Sequence, residues 1–129
     1  MKVQFVDFSL ERRPERTFQT TNELTSFLRQ LQTEEPSAGE LVCENGYKLT
    51  VGIDGHLAFA QYSNINGDPP YMVAQARTRI SEKSHDFIVT GSPTEVDGKS
   101  CLPFSEFENV VCYFMETGLK SPSVAWEDS

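Results

Sequence analysis

Residues 47–62 constrain the fold more than any other stretch. Tyr47, Leu49, Val51 and Ile53 alternate with Lys48, Thr50 and Gly52. A period of two is that of a β-strand, whose successive side chains point to opposite faces. Asp54-Gly55 follows, a pair suited to the positive φ angles of a type I′ hairpin turn. A two-residue loop there sets Ile53 opposite His56, Val51 opposite Ala58 and Leu49 opposite Ala60. Leu57 and Phe59 then share the second face with Gly52 and Thr50. Apolar groups on both faces suggest a central position for this hairpin in the sheet.

The flanking segments supply helices. Thr20 and Glu23 have capping-box spacing, and Leu24, Phe27, Leu28 and Leu31 follow as one helical stripe. Pro103 opens a second helical stretch in which Ser105 and Glu108 again have capping-box spacing. Phe107, Val110, Val111, Phe114 and Met115 form its apolar stripe, and Gly118 is placed to cap its C-terminus. Helices are expected near residues 21–32 and 103–117, with the second stripe buried against the sheet.

Further strands are expected at Lys2–Phe8, Leu41–Cys43, Tyr71–Ala74, Asp86–Thr90 and around Val124 and Trp126. Asn45-Gly46 and Asn66-Gly67 read as turns, and Asp97-Gly98 as the close of one more hairpin. Pro69-Pro70 suggests a position near an edge for the strand after it, and Leu10–Gln19 reads as a loop. Thr33–Gly39, with Pro36 and Gly39, ends the first helix. The order β-α-β(several)-α-β argues for an α+β fold, a mainly antiparallel sheet with two helices packed on it. No repeat or linker divides the chain, so residues 1–129 are expected to form a single domain.

Charge narrows the function. Residues 1–33 carry five basic and four acidic side chains, net +1, whereas residues 34–129 carry six and fifteen, net −9. Such a surface repels phosphates and disfavours direct nucleic-acid binding; it would speed association with a basic partner. No apolar run approaches the ~18 residues of a membrane span. The N-terminus lacks the pattern of a signal peptide, so a cytoplasmic location is expected. Cys43, Cys101 and Cys112 are too few and too widely spaced for a disulfide framework. They read as small buried hydrophobes, and no metal or cofactor is expected.

The sequence offers little to a catalyst. It contains no phosphate-binding loop, nucleophile elbow or H-E-x-x-H motif. His56 reads as a solvated turn residue. His85 stands next to Asp86, but neighbours on a strand point to opposite faces and make a poor dyad. Glu106 and Glu108 lie roughly 200° apart around their helix and do not form a carboxylate pair. Trp126, the only tryptophan, reads either as cover for one end of the core or as an interface anchor.

The run Leu49-Thr50-Val51-Gly52-Ile53-Asp54-Gly55-His56 with Leu57-Ala58-Phe59-Ala60-Gln61-Tyr62 resembles the hairpin of one family of bacterial immunity proteins. Cys101-Leu102-Pro103-Phe104 then leads into a helix ending Tyr113-Phe114-Met115-Glu116-Thr117-Gly118, and Pro122-Ser123-Val124-Ala125-Trp126-Glu127-Asp128 closes the chain. This ending is similar to that family's tail. The family is the one numbered first among the immunity proteins of polymorphic toxin systems, and the resemblance covers about residues 45–129. It implies a small α+β protein encoded beside a secreted toxin, often a nucleic-acid deaminase and sometimes a nuclease, which it binds and blocks in the producing cell. The alternative is a general interaction domain without a toxin partner; a small enzyme comes third. On the leading reading, carboxylates in exposed turn or terminal settings engage a basic cleft on the toxin. The candidates are Asp54, Asp68, Glu127 and Asp128, with Trp126 as an apolar anchor.

Overall fold

The computed structural model describes residues 2–8, 14–80, 83–89 and 91–128. In chain order the elements are β1 (Val3–Asp7), β2 (Arg16–Phe18), α1 (Thr21–Thr33), β3 (Ser37–Cys43), β4 (Tyr47–Asp54), β5 (Leu57–Asn64) and β6 (Met72–Gln75). They continue with β7 (His85–Val89), β8 (Ser92–Val96), a 3-10 turn (Gly98–Ser100), β9 (Leu102–Pro103), α2 (Phe104–Thr117) and β10 (Ala125–Asp128). Among the described residues eight strands form one antiparallel sheet in the order β10-β6-β5-β4-β3-β1-β2, with β9 pairing beside β5. The fold is α+β, as the sequence implies.

Both helices lie on one face of this sheet. The Thr20 hydroxyl accepts from the Glu23 N–H at 3.2 Å while the Glu23 carboxylate accepts from the Thr20 N–H at 3.1 Å, completing the first capping box. Leu24, Phe27, Leu28 and Leu31 of α1 and Phe107, Val110, Val111, Phe114 and Met115 of α2 are buried in one cluster with Phe5, Leu41, Leu49, Val51 and Ile53 of the sheet. Gly118 closes α2 with φ 74°, its N–H donating to the Phe114 carbonyl. No side chain caps the start of α2. Glu108 instead accepts from Arg29 of α1 at 2.7 and 3.3 Å, and Glu106 accepts from the N–H groups of Arg77 and Thr78. The expected second capping box is absent because α2 starts at Phe104 with Pro103 at the N-cap, which puts Ser105 inside the first turn.

The second face is partly covered by the hairpin β7-β8, a sheet of its own. Phe87 of β7 meets Phe59 of β5 edge to face at 5.0 Å, and Cys101 completes this smaller cluster. The central position expected for β4 and β5 is observed, with a hairpin over one face and helices over the other. Gly52 lies opposite Phe59; a Cβ there would sit 2.2 Å from a Phe59 ring carbon, so the ring takes the place of a side chain.

Several expectations need correction. The β4-β5 loop is Gly55-His56, with Asp54 paired to Leu57 and Ile53 to Ala58. The register is slipped by two residues, which preserves every face. Within the stretch expected to be a loop, residues 10–13 lie outside the described residues, while Arg16–Phe18 forms a strand that buries Phe18 beside Phe27. β3 begins at Ser37, four residues earlier than expected. β6 does lie near an edge, as expected, with only β10 outside it among the described residues. Asp97 caps the 3-10 turn rather than closing a hairpin. The turn between β7 and β8 contains Gly91; Thr90 lies outside the described residues.

Candidate partner-binding surface

The last strand brings three of the expected residues to one edge. β10 pairs Trp126 with Ala74, Glu127 with Val73 and Asp128 with Met72. Opposed residues of paired strands share a face. Glu127 therefore projects on the face of Val73 and Gln61, and Trp126 on the helix-covered face. Trp126 takes the first of the two roles the sequence left open, that of cover for the core. It packs against the main core and its indole N–H donates to the Ser121 carbonyl at 2.8 Å, yet it stays partly exposed.

Beside Glu127 lies a groove of about 320 Å³ between the sheet and β8. Phe59, Gln61, Val73 and Gln75 of the sheet line it, with Thr94, Glu95 and Val96 of β8 facing them. Among the described residues lining it, Glu95, Asp97, Glu127 and Asp128 carry carboxylates and Lys99 an ammonium. Lys99 Nζ donates to Glu127 at 2.9 Å. That hydrogen bond, and then the Glu127 charge, hold the Lys99 ammonium above its usual pKa. Asp97 already accepts from the Lys99 N–H. The net charge left in the groove favours a basic occupant.

Asp68 lies elsewhere, in a groove of about 690 Å³ lined by Tyr47, Tyr62, Pro69, Pro70, Met72 and Leu119 among others. Tyr47 stacks on Tyr62 at 5.0 Å. The Tyr62 hydroxyl donates to the Gly118 carbonyl at 3.0 Å, and the Asn45 amide donates to the same oxygen at 2.8 Å. These bonds tie the end of α2 to the strand ends. Burial, with the neighbouring Tyr47 second, pushes the Tyr62 phenol up to about 12.

Asp54 is not a free carboxylate. It meets His85 Nε2 at 2.7 Å, both side chains about one-third exposed. The pair joins the end of β4 to β7, so the histidine finds its acid across the fold rather than in adjacent Asp86, which lies opposite Glu95 in the hairpin. His56 is exposed, and its carbonyl accepts from the Phe104 N–H. Among the described residues no group of three or more His, Cys, Asp or Glu is placed to hold a metal ion. Among them, too, no helix is long and apolar enough to cross a membrane.

Sequence reasoning missed Glu95 and Asp97 as neighbours of Glu127. Their acidity was visible; the fold-back of β8 over the sheet was not.

A family model described as Immunity protein Imm1 matches residues 12–128. The chain belongs to this immunity-protein family. The resemblance read from residues 45–129 thus extends back to residue 12. Comparison with curated proteins gives no match. Membership implies a cognate toxin as the partner of this immunity protein.

Proposed function

We propose that this immunity protein neutralises a toxin that acts on nucleic acid, a deaminase or a nuclease, by occupying the basic cleft that otherwise takes the substrate. The observation that carries the proposal is the groove in which Glu95, Asp97 and Glu127 lie with Lys99, and Asp128 follows next along the strand. A cleft built for phosphates is lined with Arg and Lys. A carboxylate surface presents it with complementary charge. Glu127 is the expected residue that projects into this groove, while Asp128 and Trp126 alternate with it onto the other face, where Asp68 also lies. Asp54, held by His85, steadies the hairpin that forms the groove's far wall.

The test is affinity for the toxin domain encoded by the adjacent gene, measured at two salt concentrations with Glu95→Gln, Glu127→Gln and Asp128→Asn combined. Binding by the parent chain should weaken as salt rises, because long-range attraction is screened. Each carboxylate desolvated against a toxin cation should cost about 2–5 kcal/mol on truncation, and each rim carboxylate should mainly slow association. Unchanged affinity in the triple variant, with no salt dependence, would exclude electrostatic occupation of the cleft.

A further inference from the structure

We infer that the outer edge of β10 is the toxin-docking edge, onto which an extended basic segment of the toxin adds as a further strand. This deepens the reading above and rests on it. β10 ends the sheet order, and among the described residues no strand pairs with its outer side. An open edge presents N–H and C=O groups at strand spacing, a template for another chain.

Three features single out this edge. The first is length and charge. β10 spans four residues and ends in Glu127-Asp128, whereas the opposite edge, β2, spans three and carries Arg16. The second is what flanks it. Glu127 turns to the carboxylate groove of β8, while Trp126 and Asp128 turn to the other face beside Ala74 and Met72. Met72 also lines the tyrosine groove. An added strand alternates its side chains in the same way. It would send one set toward Glu127 and Glu95 and the other toward Trp126 and Met72.

The third feature selects the occupant. Acidic side chains on an edge strand guard it against self-pairing, since like charges set opposite one another are destabilising. A second copy of this chain would bring Glu127 and Asp128 against the same carboxylates. A toxin segment alternating basic and apolar residues meets opposite charge on one face and aromatic surface on the other.

Amide hydrogen exchange, resolved by residue, tests this on the full chain alone and saturated with the inactivated toxin domain encoded by the adjacent gene. The amides of residues 125–128 should slow by about tenfold or more on binding, those of Arg16–Phe18 should not, and new protection should appear in one extended toxin segment. Asp128→Lys should weaken binding by about tenfold or more, while Glu116→Lys, an equal charge change on α2, should have little effect. Thermal melts of both variants confirm that they fold. If the toxin binds but protection falls on β2, or on the tyrosine groove without β10, the edge is the wrong site and the toxin-binding reading stands. If the parent chain neither binds nor neutralises the toxin, that reading fails and the edge inference fails with it.

Discussion

Replacing Gly52 with alanine puts a methyl group 2.2 Å from Phe59 Cε1 and 2.8 Å from Cδ1. One of the two must move. Phe59 has little room to do so, because it is 6% exposed and its ring lies against Phe87 at 5.0 Å. Overpacking of this kind costs about 1–3 kcal/mol. Removing glycine from a strand recovers about 0.4–1 kcal/mol by restricting the unfolded chain. The net expectation is a loss of about 1–2 kcal/mol. Urea denaturation should show a lower midpoint with an unchanged slope. The double variant Gly52→Ala with Phe59→Leu should lose less than the sum of the single changes, with a coupling of about 1 kcal/mol. A stabilising Gly52→Ala, or additive losses, would refute the description of Phe59 as clamped between Gly52 and the β7-β8 hairpin.

Three further outcomes follow from the core and its titrating groups. Phe114, fully buried and edge to face with Tyr62 at 6.1 Å, should cost about 3–5 kcal/mol when replaced by alanine, read from chemical denaturation. The unfolded Tyr62 phenol ionises near 10, whereas the folded one is pushed up to about 12 by burial. The unfolded state releases its proton first, so this contribution is intact below about pH 10 and is lost as pH rises toward 12. Tyr62→Phe should flatten that part of the stability profile. Burial raises the Cys101 and Cys112 thiols, with Asp97 adding to the first and Glu108 to the second. Both should react slowly with a thiol reagent at neutral pH in the folded chain and quickly in denaturant.

The parts of the fold that were legible are those written in local periodicity. The alternation at 47–53 and the stripes of α1 and α2 name their own buried faces. What escaped the sequence was non-local. The β4-β5 register can slip by two without moving any side chain to the other face, so the apolar pattern cannot choose between Asp54-Gly55 and Gly55-His56 as the loop. The start of β3 reads as a turn because Gly39 is small; it is small because a Cβ there would meet the Val6 carbonyl at 2.5 Å and the Phe5 ring at 2.7 Å. Pro69-Pro70 signals that β6 lies near an edge, but not which strand lies outside it, because β10 arrives about fifty residues later. The same distance explains the surface. Glu127 and Asp128 were visible as exposed acids, but Glu95 and Asp97 join them only through the packing of β8. Asp54 looked available because its partner, His85, lies 31 positions away.

The most direct test of the account is inhibition of the toxin itself. Increasing amounts of this chain would be titrated into its cognate toxin domain, with deamination or cleavage of nucleic acid, the proposed toxin activities, as the readout. The account predicts that activity falls to zero at an equimolar ratio, and that excess nucleic acid competes with the immunity protein for the toxin. Full toxin activity in the presence of excess immunity protein would contradict it.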